Sequence, residues 1–433
     1  MSERSTQRSW SLLIEERYQC SLADDLVSWF DSEIWRAPIH GEFTCALHPE
    51  ELLKPAPEII WPGLMAADLL PLVGNHYGDW ICIRINESNR LEEVVYWYHG
   101  GGDCLPLAAG LSEAILLSHY FNLDPMEFSN QAIDSLESNL THPNETRISR
   151  SSRDLLPLRW AAEQQKLNLE DLPDQSLPRD EIIQSLLDLK IAVIALMCLR
   201  AKDALRHWPR QHLDQISTED PVDRSSYISR YLFDQGSMPR SLIDQLSEMT
   251  GESHCQGWDV AAQCASLVTQ VSPDQAWSWH LVGYSSEKRG LIPEAIECYR
   301  RAMHCSTFSD QATRFSSHWT EPKAAKFSVA RLTELDASFV GSSDYVRALC
   351  HRDPKRRREE VTAYWMTCGK AETEKGCLSN GVAAFYAAGW DVGAKSMASY
   401  QDILSSLIEA SQCCGQMARS ELASTHLRCL LDW

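Results

Sequence analysis

The chain has 433 residues, 44% of them hydrophobic and 23% charged, with 60 acidic against 40 basic side chains and a net charge of −20. That length exceeds one ordinary hydrophobic core and the composition is that of a globular protein, so two or three folded domains are expected. The acidic balance argues against a general nucleic-acid binder, which needs positive potential for the phosphate backbone, and favours a basic partner.

The first nine residues are polar and no long apolar run follows them, so no secretory signal is expected. Residues 10–30 read as two opening helices, with Ser21 as the N-cap of the second and Asp24 and Asp25 in its favourable first turn. Five prolines between positions 36 and 62 keep that stretch extended or looped, with a strand at 42–47 and a turn of helix at 50–53. Two runs then stand out, Trp80-Ile-Cys-Ile-Arg-Ile85 and Val94-Val-Tyr-Trp-Tyr98. Both are rich in β-branched and aromatic residues and both are bounded by turn formers, so both read as strands. Asn75-His-Tyr-Gly-Asp79 enters the first strand, Asn86-Glu-Ser-Asn89 links the two, and Gly100-Gly-Gly-Asp103 leaves the second. Apolar spacing from Leu105 to Leu117 predicts a short helix after the sheet.

Between 129 and 179 the periodicity weakens. Thr141 to Arg153 and Leu172 to Pro178 read as connector, with a short helix near 159–167 between them. From 180 onward the pattern is helical, and the most apolar stretch, 182–199, is interrupted by Gln184, Ser185, Asp188 and Lys190. It is a buried helix by this measure, not a membrane span. The fifteen cysteines are odd in number and never spaced Cys-x-x-Cys, which fits reduced thiols in the cytoplasm.

The order of parts in 68–117 resembles the SUKH superfamily, the Smi/Knr-like domain of bacterial immunity proteins and fungal cell-wall regulators. Leu70-Pro71-Leu72, Asn75, Gly78-Asp79, Cys82, Val94-Val95-Tyr96-Trp97 and His99 stand at the places of that family's motif. The resemblance covers about the first 125 residues; Leu22-Ala23 stands where the family usually has Leu-Pro. It implies an α+β domain over 1–128 with an antiparallel-rich sheet, flanking helices and a protein-binding role. In bacterial relatives that role is neutralisation of a cognate toxin. The segment 279–302 resembles a tetratricopeptide repeat, through Trp279, Gly283, Gly290, Ala295, Tyr299 and Ala302. Small residues at Gly283, Ala295 and Ala302 let two antiparallel helices approach, Gly290 makes the turn, and Trp279 and Tyr299 fill the gaps. An all-α, TPR-like domain is therefore expected over 180–433, joined to the first by a 129–179 linker.

Each chemical motif has a plainer reading. His99-Gly100-Gly101-Gly102 matches the oxyanion loop of esterases, but no Gly-x-Ser-x-Gly elbow accompanies it, and a tight exit turn explains it. Asp79, His99 and Asp103 have the types of an acid/base group and would serve a hydrolase; a turn contact of Asp79 is the simpler role. No His, Cys or carboxylate cluster has metal-ligand spacing, so neither metal nor cofactor is expected. Arg352-Asp-Pro-Lys-Arg-Arg-Arg358 is a solvated helix start or a dock for an anionic surface.

The sequence thus points to a cytoplasmic, non-catalytic interaction protein that binds neither nucleic acid nor membrane. Its first expected contact residues are Asp79, Trp80, Trp97, His99 and Asp103, for a protein partner such as a basic toxin domain. The alternative is a scaffold that binds through the helical domain.

Overall fold

The structure is a computed structural model that describes residues 8–39, 43–97, 99, 104–121, 156–166, 276–306, 326–336 and 338–432, besides isolated positions between 262 and 273. These fall into two compact units, one drawn from 1–99, 106–192 and 404–433, the other from 100–105 and 193–403.

The first unit opens with α1 (Trp10–Tyr18), β1 (Ser21–Leu22) and α2 (Asp24–Asp31). Ser21 is not the N-cap of α2. Its backbone N–H donates to Asn89 O, and that of Ala23 to Leu91 O, so the link between the helices is drawn into the sheet and Ala23 takes the cap position. After a 3₁₀ turn at Ile34–Arg36 come β2 (Cys45–Ala46), α3 (Pro49–Leu53), β3 (Leu69–Gly74), β4 (Trp80–Ile85), β5 (Arg90–Trp97), β6 (Cys104–Ala108) and α4 (Leu111–Phe121). Among the described residues the sheet has the order β1-β5-β4-β3-β2, with β6 also on β5. It is mixed: β1 runs parallel to β5, while β2–β3, β3–β4 and β4–β5 are antiparallel.

All six residues of β3 are buried, and both Tyr96 and Trp97 at the end of β5 are fully so. A sheet with one wet face would alternate; consecutive burial means that both faces are covered. Phe43 packs edge-on against Tyr96, and the Trp97 indole donates to Leu64 O at 3.0 Å.

Helix α5 (Leu156–Gln164), inside the stretch read as connector, packs on this unit: Trp160 meets Trp29 of α2 and donates to Ser28 Oγ, and Gln165 donates to Ser112 Oγ of α4. The C-terminal helix α13 (Met417–Leu431) belongs here too. Arg17 of α1 reaches Glu421 and Thr425, and Cys429 Sγ donates to Pro57 O.

From 276 onward the described elements of the second unit are helical: α6 (Ala276–Lys288), α7 (Ile292–His304), α8 (Phe327–Leu335), a 3₁₀ turn at Phe339–Gly341, α9 (Asp344–Leu349), α10 (Pro354–Glu374) and α11 (Leu378–Trp390). Helix α12 (Met397–Cys413) follows. No described helix is long and apolar enough to cross a membrane. The helical segment expected at 182–199 lies outside the described residues.

Candidate functional site

The turn between β3 and β4 is built from one asparagine. Asn75 Oδ1 accepts the backbone N–H groups of Tyr77 and Asp79, both at 2.9 Å, and the Asn75 N–H donates to Asp79 O at 3.0 Å. Short side chains with an acceptor oxygen favour such turns because they stand in for backbone. Gly78 supplies the left-handed φ of +95° that closes it.

Asp79 then ties this turn to the end of β5. Its Oδ1 accepts the backbone N–H of His99 at 3.0 Å and lies 2.8 Å from His99 Nδ1, while its Oδ2 accepts from Asn75 Nδ2 at 3.2 Å. A Cβ at position 78 would meet the His99 ring at 3.4 Å, an ordinary contact, so glycine is required there by its φ and not by space. The buried carboxylate is fully occupied as a three-way clip. Its partner His99 keeps 43% of its side chain exposed, and Tyr77, at the tip, is 71% exposed. With the proton on Nδ1, shared with Asp79, the Nε2 of a neutral His99 is left as an acceptor.

Of the residues the sequence singled out here, Asp79 and His99 are brought together, and Trp80 lies beside them with its ring 3.1 Å from where a Cβ of Gly74 would be. Trp97 is taken out of the exposed set: it is 0% exposed, its N–H is used by Leu64, and Trp61 packs over it. The loop around Trp61 to Met65 covers the face that strand alternation left open. Asp103 and Gly100 to Gly102 lie outside the described residues. Sequence reasoning passed over Tyr77; an aromatic ring amid the polar residues of a five-residue turn was the available signal.

In the helical unit, α6 and α7 pack against each other. A Cβ at Gly283 would meet Tyr299 at 3.0 Å and Cys298 at 3.1 Å, Gly290 turns the chain with φ +75°, and Ala295, Tyr299 and Ala302 are buried. Trp279 packs on Ala276, Ala302 and Cys305, under the Arg301 guanidinium.

The same arrangement recurs 86 residues later. Trp365, Gly369, Gly376, Gly381, Phe385 and Ala388 repeat Trp279, Gly283, Gly290, Ala295, Tyr299 and Ala302 in α10 and α11. Gly369 faces Phe385 as Gly283 faces Tyr299. The turns match bond for bond: Gly290 and Leu291 donate to Glu287 O and Ser286 O, Gly376 and Cys377 to Thr373 O and Glu372 O. These are Schellman closures, with glycine at the left-handed position. A search at a lag of 34 misses this pair.

A buried charge ties together the five helices α7 to α11. Lys326 Nζ donates to Asp391 Oδ1 at 2.6 Å, Met303 O at 2.6 Å and Cys305 O at 2.7 Å. Asp391 Oδ2 accepts from Tyr345 OH at 2.7 Å and Trp365 Nε1 at 2.9 Å. Every donor of the ammonium is engaged, so the cluster is a tie between helix ends. Among the described residues no group of three or more His, Cys, Asp or Glu side chains is arranged to hold a metal. No protein-family model, no curated protein and no solved structure matches this chain.

Proposed function

We propose that the chain is a non-catalytic protein-binding protein whose N-terminal unit contacts its partner through the clipped turn at 75–79. The observation that carries this reading is the exposure of Tyr77 on a turn held by five hydrogen bonds or polar contacts through Asn75 and Asp79. An aromatic carried on an ordered turn has less backbone entropy to lose on binding than one on a free loop, and such residues serve well as binding anchors. His99 and Trp80 flank it. Asp79 acts by positioning, since all of its near partners belong to the clip.

The SUKH-like motif residues of the notched strand pair and the net charge of −20 support a basic partner, and an immunity protein that occludes a toxin is the role that joins the two. A second reading is favoured by the recurring helical hairpins: a TPR-like scaffold that holds its ligand in the helical unit.

The test uses the full chain, because 404–433 packs with the N-terminal unit. Wild type and Tyr77→Glu serve as baits in native-host lysate. A basic protein retained in equimolar amount by wild type and lost by the variant, and toxic when expressed without this chain, supports the immunity reading. Retention that survives Tyr77→Glu moves the contact to the helical unit and supports the scaffold.

A further inference from the structure

Helix α10 starts with a run of cations around its N-cap: Arg352, then Asp353 and Pro354, then Lys355, Arg356, Arg357 and Arg358. Two electrostatic rules oppose it. The N-terminus of a helix is the positive end of its dipole, where carboxylates help and cations do not. Like charges three residues apart on a helix, as Lys355 and Arg358 are, repel.

Among the described residues, little neutralises this run. Arg357 is buried and donates its Nε to His351 O, anchoring the start of the helix to the preceding turn. Arg352, Lys355, Arg356 and Arg358 make no ion pair with any described residue, whereas most other described cations have an acidic partner, Arg17, Arg84, Lys326 and Arg331 among them. Glu359, the next acid along, is engaged by Lys395. Arg358 is partly buried, and burial alone, with no acid beside it, pulls its pKa below the usual guanidinium value. In a chain with 60 acidic side chains, four cations within seven residues that have no acidic partner among the described residues break the local pattern. Such breaks concentrate where a ligand supplies what the fold does not.

We propose that the cationic start of α10 is a docking site for a short segment rich in Asp and Glu on a protein partner. The geometry argues against a compact phosphate. A helix grips phosphate with free first-turn N–H groups, but Pro354 has none, and Asp353 takes the Lys355 N–H with its Oδ1 and the Arg357 N–H with its backbone oxygen, both at 2.9 Å. The Asp353 carboxylate also occupies the position such an anion would take. The four cations, unpaired among the described residues, instead lie at 352, 355, 356 and 358 over the cap and first turn, which suits several separate carboxylates. Nucleic acid is disfavoured by the net charge of −20 and by a footprint of four cations, too few to overcome long-range repulsion. This proposal concerns the helical unit and a partner of opposite charge to the one above, so it stands apart from the N-terminal reading.

Fluorescence anisotropy with the full chain tests it. The probe is a labelled short peptide of alternating Asp, Glu and Ser, with its Asn/Gln counterpart, a phosphoserine peptide and a single-stranded oligonucleotide as the other arms. The expected result is salt-sensitive binding of the acidic peptide, weakened about tenfold or more in Arg352→Glu/Lys355→Glu/Arg356→Glu and unchanged in Lys370→Glu, an exposed cation farther along the same helix. The neutralised triple variant, with Gln at all three positions, gives the intermediate loss and serves if the reversed one misfolds. Binding of the acidic peptide that ignores both triple variants, or no binding at low salt, overturns the proposal. So does preferential binding of the phosphopeptide or the oligonucleotide that the triple substitution removes, since it replaces the occupant.

Discussion

The Oδ1 of Asn89 accepts the backbone N–H of Ala418 at 3.0 Å, 329 residues later in the chain, and its Nδ2 donates to Gly415 O at 2.9 Å. One side chain in the β4–β5 turn thus caps the first turn of α13. Gln416, at the local cap position of that helix, makes no side-chain cap bond. Asn89→Ala is expected to lower the stability of the full chain by about 1 kcal/mol, the usual cost of losing an N-cap. Urea denaturation followed by circular dichroism measures it. Truncation before 404 is expected to cost far more, because it also strips Arg17 of Glu421 and Thr425 and leaves apolar surface on α1 exposed.

Glycines in the two hairpins separate into two kinds, and the same substitution acts on them for different reasons. Gly→Ala inside a helix ordinarily stabilises by up to about 1 kcal/mol. At Gly369 a Cβ would lie 2.6 Å from a Phe385 ring carbon, and at Gly283 3.0 Å from Tyr299. Overpacking of that kind typically costs about 1 to 3 kcal/mol, so both variants are expected to be less stable, Gly369→Ala more so. At Gly290 and Gly376 nothing lies within 4 Å and the penalty comes from φ near +75° and +79°. There Asn is expected to be tolerated better than Ala, whereas at Gly369 Asn is worse. Thermal melts of the variants at these four positions rank them.

How far the fold was legible follows from the range of each contact. Strand β4, helix α3 and the start of α10 after Pro354 carried local signals and lie where those signals put them, while β5 begins at Arg90, four residues before the apolar run that signalled it. Strand β1 is two residues long and exists only through its pairing with β5, so Ser21 read as a helix cap. Strand β6 carries Pro106, which argues against a strand, and its apolar spacing was absorbed into the helix that begins only at Leu111. Strand period puts neighbours Tyr96 and Trp97 on opposite faces but says nothing about what covers each face, and Leu64 and Phe43 are distant in sequence. The Asp79–His99 clip was visible as residue types; its closure over the turn was not.

A buried carboxyl gives the N-terminal unit a pH dependence of definite sign. Glu113 of α4 is buried, with Oε2 accepting the Ala109 N–H at 2.8 Å and Oε1 without a hydrogen-bond partner. Burial raises its pKa; the Ala109 bond works against this, and the neighbouring Asp25 carboxylate adds to it. A folded pKa above the unfolded one means that the folded state holds the proton longer. The resulting stability is fully present below the ordinary carboxylate range, near pH 4, and is lost as pH rises from there through the folded pKa. Glu113→Gln cannot titrate. The stability difference between variant and wild type is therefore expected to shift in favour of the variant from pH 4 to pH 7, as read from urea midpoints at each pH. A constant difference would place the ionised carboxylate in water.

The Lys326–Asp391 pair, with side chains 2% and 4% exposed, tests whether the helical unit depends on a matched charge or only on filled space. Removing one partner leaves the other buried without its counter-charge, which typically costs about 3 to 5 kcal/mol. Lys326→Met strands Asp391, although Tyr345 and Trp365 still donate to it. Asp391→Leu strands the ammonium, which keeps only the carbonyls of Met303 and Cys305 and the hydroxyl of Tyr345. Carbonyl dipoles offset a cation less well than a carboxylate does, so Asp391→Leu is expected to be the more damaging single change. The double variant Lys326→Met/Asp391→Leu removes both desolvated charges and is expected to recover part of the loss, giving a positive coupling in a double-mutant cycle measured by denaturant unfolding. Additive losses would mean that the pair is held apart by water in solution, and that the helix ends are joined by packing of Tyr345 and Trp365 instead.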